Sequence, residues 1–253
     1  MDGKAGPLWW RVAYGMQIET SHVTIQGLKI LGMPIVEHPQ EGQIHRVYPI
    51  GRMNPELDDL EITQCLFAGD EVTNPNHLGI LANGTGIVLD HCVFYHLKQP
   101  VIFWSRGSTG HAMRNCIVYG SYGCGIWTSG IANDFDFRNN IISNSLYTWI
   151  GQSGRGAEEG AQAEQGTEQS QQSVHYKIYD SLFAGNEKFT GTGGGPALNF
   201  RDSDPSFLEL INTEISDEPI QLEYDQSQLN YLHPVAGSKA AEIGAGLFKS
   251  ANM

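Results

Sequence analysis

Leu60-Glu61-Ile62-Thr63-Gln64-Cys65-Leu66-Phe67-Ala68-Gly69 and Ile87-Val88-Leu89-Asp90-His91-Cys92-Val93-Phe94-Tyr95-His96 decide the fold, because the second stretch repeats the pattern of the first. Four further segments align with them without gaps: VTIQGLKILG from Val23, HAMRNCIVYG from His111, FDFRNNIISN from Phe135 and YKIYDSLFAG from Tyr176. Each reads as two short strands joined by a tight bend. One aligned column holds Ile25, Ile62, Leu89, Met113, Phe137 and Ile178, and a second holds Ile30, Phe67, Phe94, Val118, Ile142 and Phe183. Both are apolar throughout, so both are expected to line an interior.

The bend between them carries a third column, Leu28, Cys65, Cys92, Cys116, Asn140 and Ser181, whose middle members are spaced 27, 24 and 24 residues apart (92−65, 116−92, 140−116). Three of the four cysteines thus occupy one place in successive coils of the chain. The expected reading is an inert interior stack, since an unactivated thiol packs as a small apolar group; disulfide or metal chemistry is the alternative. A further register, Ile80, Ile102, Ile126 and Ile150, precedes the middle repeats. If these isoleucines point inward, alternation sends Leu81, Phe103 and Trp127 outward and returns Ala82, Trp104 and Thr128 to the interior.

A repeat of about 24 residues made of short strands, with no helical period and no leucine-asparagine signature, matches a parallel β-helix, and crossovers between parallel strands are right-handed. The expected fold class is all-β: a single-domain right-handed parallel β-helix of about six to seven turns with an irregular C-terminal cap. Repeat turns are assigned to 17–198, with insertions at about 33–57 and 152–173, and 199–253 forms the capping segment. The second insertion, GQSGRGAEEGAQAEQGTEQSQQS, has the composition of a solvated loop. At the amino end, Trp9 and Trp10 seal the first turn, or opening turns precede this chain.

The 253 residues suffice for one domain, and no run approaches the roughly 18 apolar residues of a membrane helix. A formal charge of −13 argues against nucleic-acid binding and counts mildly against polyanionic substrates. There is no secretory leader pattern at the start and no CxxC pair. His77, His91, His96 and His111 are scattered, so no metal site is expected.

Asp204-Pro205-Ser206-Phe207, the tail from Tyr231 to Gly246 (YLHPVAGSKAAEIGAG) and the asparagine-bearing bend Asn139-Asn140-Ile141-Ile142-Ser143-Asn144 resemble elements of the bacterial pectate-lyase-like β-helix superfamily. Ala236 and Lys239 stand where that tail usually has prolines. The resemblance covers most of Gln17 to Gly246 and implies a secreted or cell-surface, carbohydrate-active protein, a lyase or glycoside hydrolase acting in a groove along one outer sheet. It implies calcium only by analogy, and it leaves the oligomeric state open.

For a lyase, a base and a cation to neutralise a uronate carboxylate are required. Arg114 and Arg138, one turn apart in one outward column, with Arg106 and His111 in the bend SRGSTGH, are the candidates. The position that carries a lysine in related lyases is Asn83. Ion pairs of Asp90 with Arg114 and Asp136 with Arg138 are the plainer account of the two arginines. For a glycosidase, Asp134 and Asp136 alternate with inward Phe135 and Phe137 and share the outer face. Phe103, Trp127 and Trp149, with Tyr95 and Tyr119 stacked in another outward column, are the expected sugar-binding surface. The expected partner is a polysaccharide, bound and cleaved, or bound only by an adhesin-like solenoid.

Overall fold

The computed structural model describes residues 12–31, 46–69, 78–151, 174–193, 200–225, 227–228 and 230–247. Trp9, Trp10, His77 and the 152–173 insertion lie outside the described residues. The chain coils so that each turn supplies three strands. The first turn holds β1 (Val12–Gln17), β2 (Val23–Gln26) and β3 (Lys29–Leu31), and the second β4 (Arg46–Arg52), β5 (Leu60–Thr63) and β6 (Leu66–Ala68). The third holds β7 (Leu78–Ala82), β8 (Ile87–Asp90) and β9 (Val93–Tyr95), and the fourth β10 (Gln99–Phe103), β11 (Ala112–Arg114) and β12 (Ile117–Tyr119). The fifth holds β13 (Cys124–Thr128), β14 (Asp136–Arg138) and β15 (Ile141–Ser143), and the sixth β16 (Tyr147–Ile150), β17 (Tyr176–Tyr179) and β18 (Leu182–Ala184). The last has β19 (Lys188–Gly193), β20 (Phe200–Asp202), β21 (Leu208–Ile211) and β22 (Glu214–Ser216), and a short helix α1 spans Lys239–Glu242.

Like strands stack into three sheets. Sheet A runs β1-β4-β7-β10-β13-β16-β19-β20, sheet B β2-β5-β8-β11-β14-β17-β21, and sheet C β3-β6-β9-β12-β15-β18-β22. Among these strands only β19 and β20 pair antiparallel; the rest pair in parallel, as β1 does with β4, β11 with β14 and β12 with β15. This is the parallel β-helix expected from the repeats. One boundary moves: the stretch 33–57 contains β4, a full sheet A strand, so its described part is a turn of the solenoid and not an excursion.

The bend between sheets B and C shows why its residues recur. Gly27, Gln64, His91, Asn115, Asn139, Asp180 and Asn212 all have positive φ, between 48° and 73°, a region that Gly, Asn and Asp tolerate best. From the second turn onward, the next residue forms the ladder Cys65, Cys92, Cys116, Asn140, Ser181 and Thr213. Here each side chain serves the turn before it: Asn140 Oδ1 accepts from Cys116 N at 2.9 Å, and Asn140 Nδ2 donates to Met113 O at 2.8 Å. Ser181 Oγ in turn accepts from Asn140 N at 3.1 Å. The Cys92 thiol donates to Ile62 O at 3.4 Å and Cys116 Sγ accepts from Cys92 N at 3.5 Å. The column therefore supplies the hydrogen bonds of buried bend groups. All four cysteines are free and buried. The hydrogen bond with Cys92 pushes the Cys65 thiol up, and burial does the same to Cys92 and Cys124.

Sheets B and C keep the expected inward columns, but sheet A is registered differently. Val101, not Ile102, pairs with Ile80, and Ile102 pairs with Leu81 and Trp127. Ile126 pairs with Trp149, and Trp127 with Ile150. Ile102 and Ile150 therefore point outward, whereas Phe103 and Trp149 are fully buried inside. Trp104 is at the surface, 45% exposed. The interior is an aromatic spine: Trp149 lies 5.1 Å from Phe137 and stacks on Tyr176 at 5.9 Å, and Phe103 meets Phe135 at 5.1 Å.

The irregular C-terminal segment lies along the outer face of sheet C, not across the end of the last turn. Leu222, Leu232, Ala240 and Ala245 pack on Leu66, Val93, Ile117, Ile141 and Leu182, and Gly246 N donates to Asn115 O at 2.8 Å.

Candidate functional site

The three outer faces differ in chemistry. Sheet C is covered. Tyr95 and Tyr119 stack there at 5.9 Å as expected, but Tyr95 also meets Tyr224 edge-on at 6.2 Å, and both pack against the C-terminal segment. They are not an open binding surface.

The outer face of sheet B carries the charges. Arg114 and Arg138 come together through Asp136: Arg114 Nε and Nη2 reach Oδ2 at 2.6 Å, and Arg138 Nε reaches Oδ1 at 2.6 Å. Asp90 is bonded instead by Asn115 Nδ2 at 2.8 Å. Arg138 also lies over the Tyr179 ring at 5.7 Å. A substrate carboxylate would have to displace Asp136 from both guanidinium groups. Asp134 shares this outer face but is occupied by Gly110 N at 2.9 Å. Arg106 stands apart in the exposed turn after Trp104.

His111 is buried, not poised on a surface. Its Nδ1 accepts from Ile87 N at 3.2 Å, so the ring proton is on Nε2, which donates to Ser108 Oγ at 2.7 Å; that hydroxyl donates onward to Ser105 O at 2.6 Å. In this tautomer the imidazole cannot take the serine proton, and the pair is no nucleophile and base. Burial, helped by the charge of Arg52 and opposed by Asp134, pulls the His111 pKa down from 6.5 to about 4. Because the folded value lies below the unfolded one, the neutral ring's contribution is complete above pH 6.5 and is lost as pH falls towards 4. We expect thermal or urea unfolding of the wild type to lose on the order of 3 kcal/mol across that window. His111→Gln should flatten the dependence; an unchanged slope in the variant would assign it to other groups.

Arg52 is a residue that motif reading passed over. Alternation from the inward Ile50, and pairing with the inward Ala82, place it inside, where it is fully buried; Nε donates to Asn83 O at 2.7 Å and Nη2 to Thr85 O at 2.8 Å. Among the described residues Nη1 has no hydrogen-bond partner, and burial lowers the pKa of the group. Asn83, also buried, donates to Met53 O at 2.8 Å. These polar groups fasten the corner between sheets A and B.

Sheet A presents the aromatic face. Trp104 and Trp127 meet at 5.9 Å, Trp127 and Phe200 at 5.9 Å, and Phe200 and Tyr147 at 5.6 Å, each pair edge to face or nearly so. Trp127 and Phe200 are half-buried, while Leu81, Ile102, Cys124 and Ile150 beneath them are buried. At one end of the strip Tyr147 OH donates to Asp202 Oδ1 at 2.7 Å, and Lys188 Nζ binds the same oxygen at 2.7 Å. Burial, then this bond, push the Tyr147 phenol above its usual value, so it remains a neutral donor. Of the expected sugar-binding residues only Trp127 stands on this strip; Phe103 and Trp149 are interior, and Trp104 and Phe200 take their place.

Residues 14–186 match the family model described as a right handed beta helix region. The chain belongs to the right-handed β-helix family. No curated protein and no solved structure matches it. In this β-helix the candidate acids and paired arginines fall on sheet B and His111 and Arg106 in the connection that leads to it from sheet A, while the rings fall on sheet A, so these candidate groups lie off the ring-bearing face. Among the described residues no group of three or more His, Cys, Asp or Glu side chains is placed to hold a metal ion, so the described side chains do not form a carboxylate cluster for the calcium that the resemblance implied.

Proposed function

We propose that this β-helix binds a polysaccharide along the outer face of sheet A, by stacking sugar rings on Trp104, Trp127 and Phe200. The observation that carries the reading is the continuous strip of rings spaced 5.9 Å apart with Trp104 45% exposed, the one outer face that is both apolar and open among the described residues. Rings present apolar faces to sugar C–H groups, while the neighbouring Lys188 and Asp202 supply polar contacts at the rim. Binding without cleavage is the reading favoured by the placement of Asp134, Asp136, Arg114 and Arg138 on sheet B, while the acid at the rim of the strip, Asp202, is held by Tyr147 and Lys188. A place outside the cell or on its surface suits such a partner.

A panel of neutral and uronate polysaccharides, titrated by intrinsic tryptophan fluorescence, tests this. Binding of at least one glycan is expected, with Trp104→Ala weakening it about tenfold or more and no unsaturated product appearing in the ultraviolet. Binding that ignores Trp104→Ala, no binding across the panel, or growth of the unsaturated-product absorbance would overturn it.

A further inference from the structure

We propose that a cleft between sheet C and the C-terminal segment binds a small organic cation, an ammonium group on an apolar stem. The cleft has a volume of about 460 Å³, within the range of small-molecule sites. Its floor is the outer face of β18 and β22, and its roof is the stretch 235–240. The site is separate from the aromatic strip, which lies on sheet A.

The sequence opens this cleft at one place along the covered face. Under the C-terminal segment the outward column of sheet C is apolar, Leu66, Val93, Ile117, Ile141 and Leu182, and then changes character in β22. There Glu214 pairs with Leu182 and Ser216 with Ala184. The roof opposite is built from small residues, Ala236, Gly237 and Ser238, and a Cβ added at Gly237 would meet nothing within 4 Å. The walls are fixed. Gly185, at φ 61°, packs so closely on Pro219 that a Cβ would lie 2.4 Å from its nitrogen. Gly185 N donates to Ser216 O at 2.8 Å, Ile220 N to Ser143 Oγ at 3.0 Å and Val235 N to Gln221 O at 3.0 Å. The space is therefore preformed, and a ligand need not order the chain to enter it.

The lining selects the ligand. Leu182 and Ala184 on the floor, with Ile220 and Val235 at the sides, offer apolar surface to a short hydrocarbon stem. Two carboxylates, Glu214 and Glu218, line the cleft against one ammonium, Lys239. Lys239 is bound to Glu214. Glu218 is exposed and makes no ion pair among the described residues, while its main chain is held by Ser216 Oγ, 3.3 Å from both Glu218 N and Glu218 O. The lining thus carries one negative charge in excess, and the chain as a whole carries −13, so a cation is drawn in and an anion repelled. The ligand's ammonium pairs with Glu218, and its stem lies over Leu182 and Ala184.

Amide chemical shifts of the nitrogen-15-labelled full chain, titrated with hexylammonium chloride at constant ionic strength, read this out. Hexanoate and hexanol serve as the anionic and neutral counterparts of equal length. Hexylammonium should give saturable shifts confined to residues 182–184, 214–221 and 235–240, hexanol weaker ones and hexanoate none. Glu218→Gln, at an exposed position, should weaken hexylammonium binding about two- to fivefold. Lys239→Ala, which releases the Glu214 carboxylate, should strengthen it by a similar factor; an anion site would respond in the opposite sense. Ala236→Phe, filling the cleft from an exposed position, should remove the saturable shifts, with circular dichroism confirming that each variant keeps its fold. No saturable shifts with hexylammonium, an equal response to hexanoate, indifference to Glu218→Gln or Ala236→Phe, or weaker binding in Lys239→Ala would each overturn the proposal.

Discussion

Trp149→Ala is expected to cost about 3–5 kcal/mol of stability, the range for removing a large buried aromatic without collapse of the surrounding core. The side chain is fully buried, contacts Phe135, Phe137 and Tyr176 at 6.1, 5.1 and 5.9 Å between ring centroids, and donates from Nε1 to Thr128 Oγ1 at 2.9 Å. Its loss opens a cavity in the interior spine and leaves the buried Thr128 hydroxyl without that donor. The contrast with Trp104→Ala is the diagnostic part: that ring is at the surface, so the variant should unfold within about 0.5 kcal/mol of the wild type. Urea titrations of the two variants decide between this register and one with Trp149 outside. Equal, small losses would favour the outward placement.

That register is also where sequence and structure part. In sheets B and C the two inward columns are five residues apart in every repeat, 62 to 67, 89 to 94, 113 to 118 and 137 to 142, because the left-handed bend has constant length. Fixed spacing made those faces legible. From sheet C to sheet A the inward step is seven residues from Phe94 to Val101, eight from Val118 to Ile126 and seven from Ile142 to Trp149. One additional residue in the connection around Gly120–Gly123 inverts the faces, since strand side chains alternate with period two. A constant spacing of 24 therefore set Ile102 and Ile150 inside and turned Phe103 out. The aromatic face proposed to bind sugar was partly legible through Trp127, but Phe200 comes from the antiparallel β20, for which the repeat has no counterpart. The Asp136–Arg138 pair was legible, two residues apart on one strand face, whereas the burial of His111 and the turn of Arg114 to Asp136 instead of Asp90 depend on the packing of neighbouring turns, which motif spacing does not encode.

Asn140→Leu should be the most damaging change in the bend, at roughly 2–6 kcal/mol, because it keeps the volume while stranding two buried backbone groups at about 1–3 kcal/mol each. Those groups are Cys116 N and Met113 O, both bonded by the Asn140 amide. Cys116→Ala gives up a long contact, 3.5 Å from Cys92 N to sulfur, and is expected to cost less. Chemical denaturation of the pair checks the order. If the cysteine variant were the weaker protein, the column would be held by packing and not by its hydrogen bonds.

The claim on which the functional reading stands is that one outer face, sheet A, receives the glycan. Hydrogen–deuterium exchange of the protein with and without a bound oligosaccharide measures this most directly. Added protection is expected in peptides covering Trp104, Trp127 and Phe200, with those containing Arg114 and Arg138 unchanged. Protection confined to the arginine-bearing strands of sheet B would contradict it.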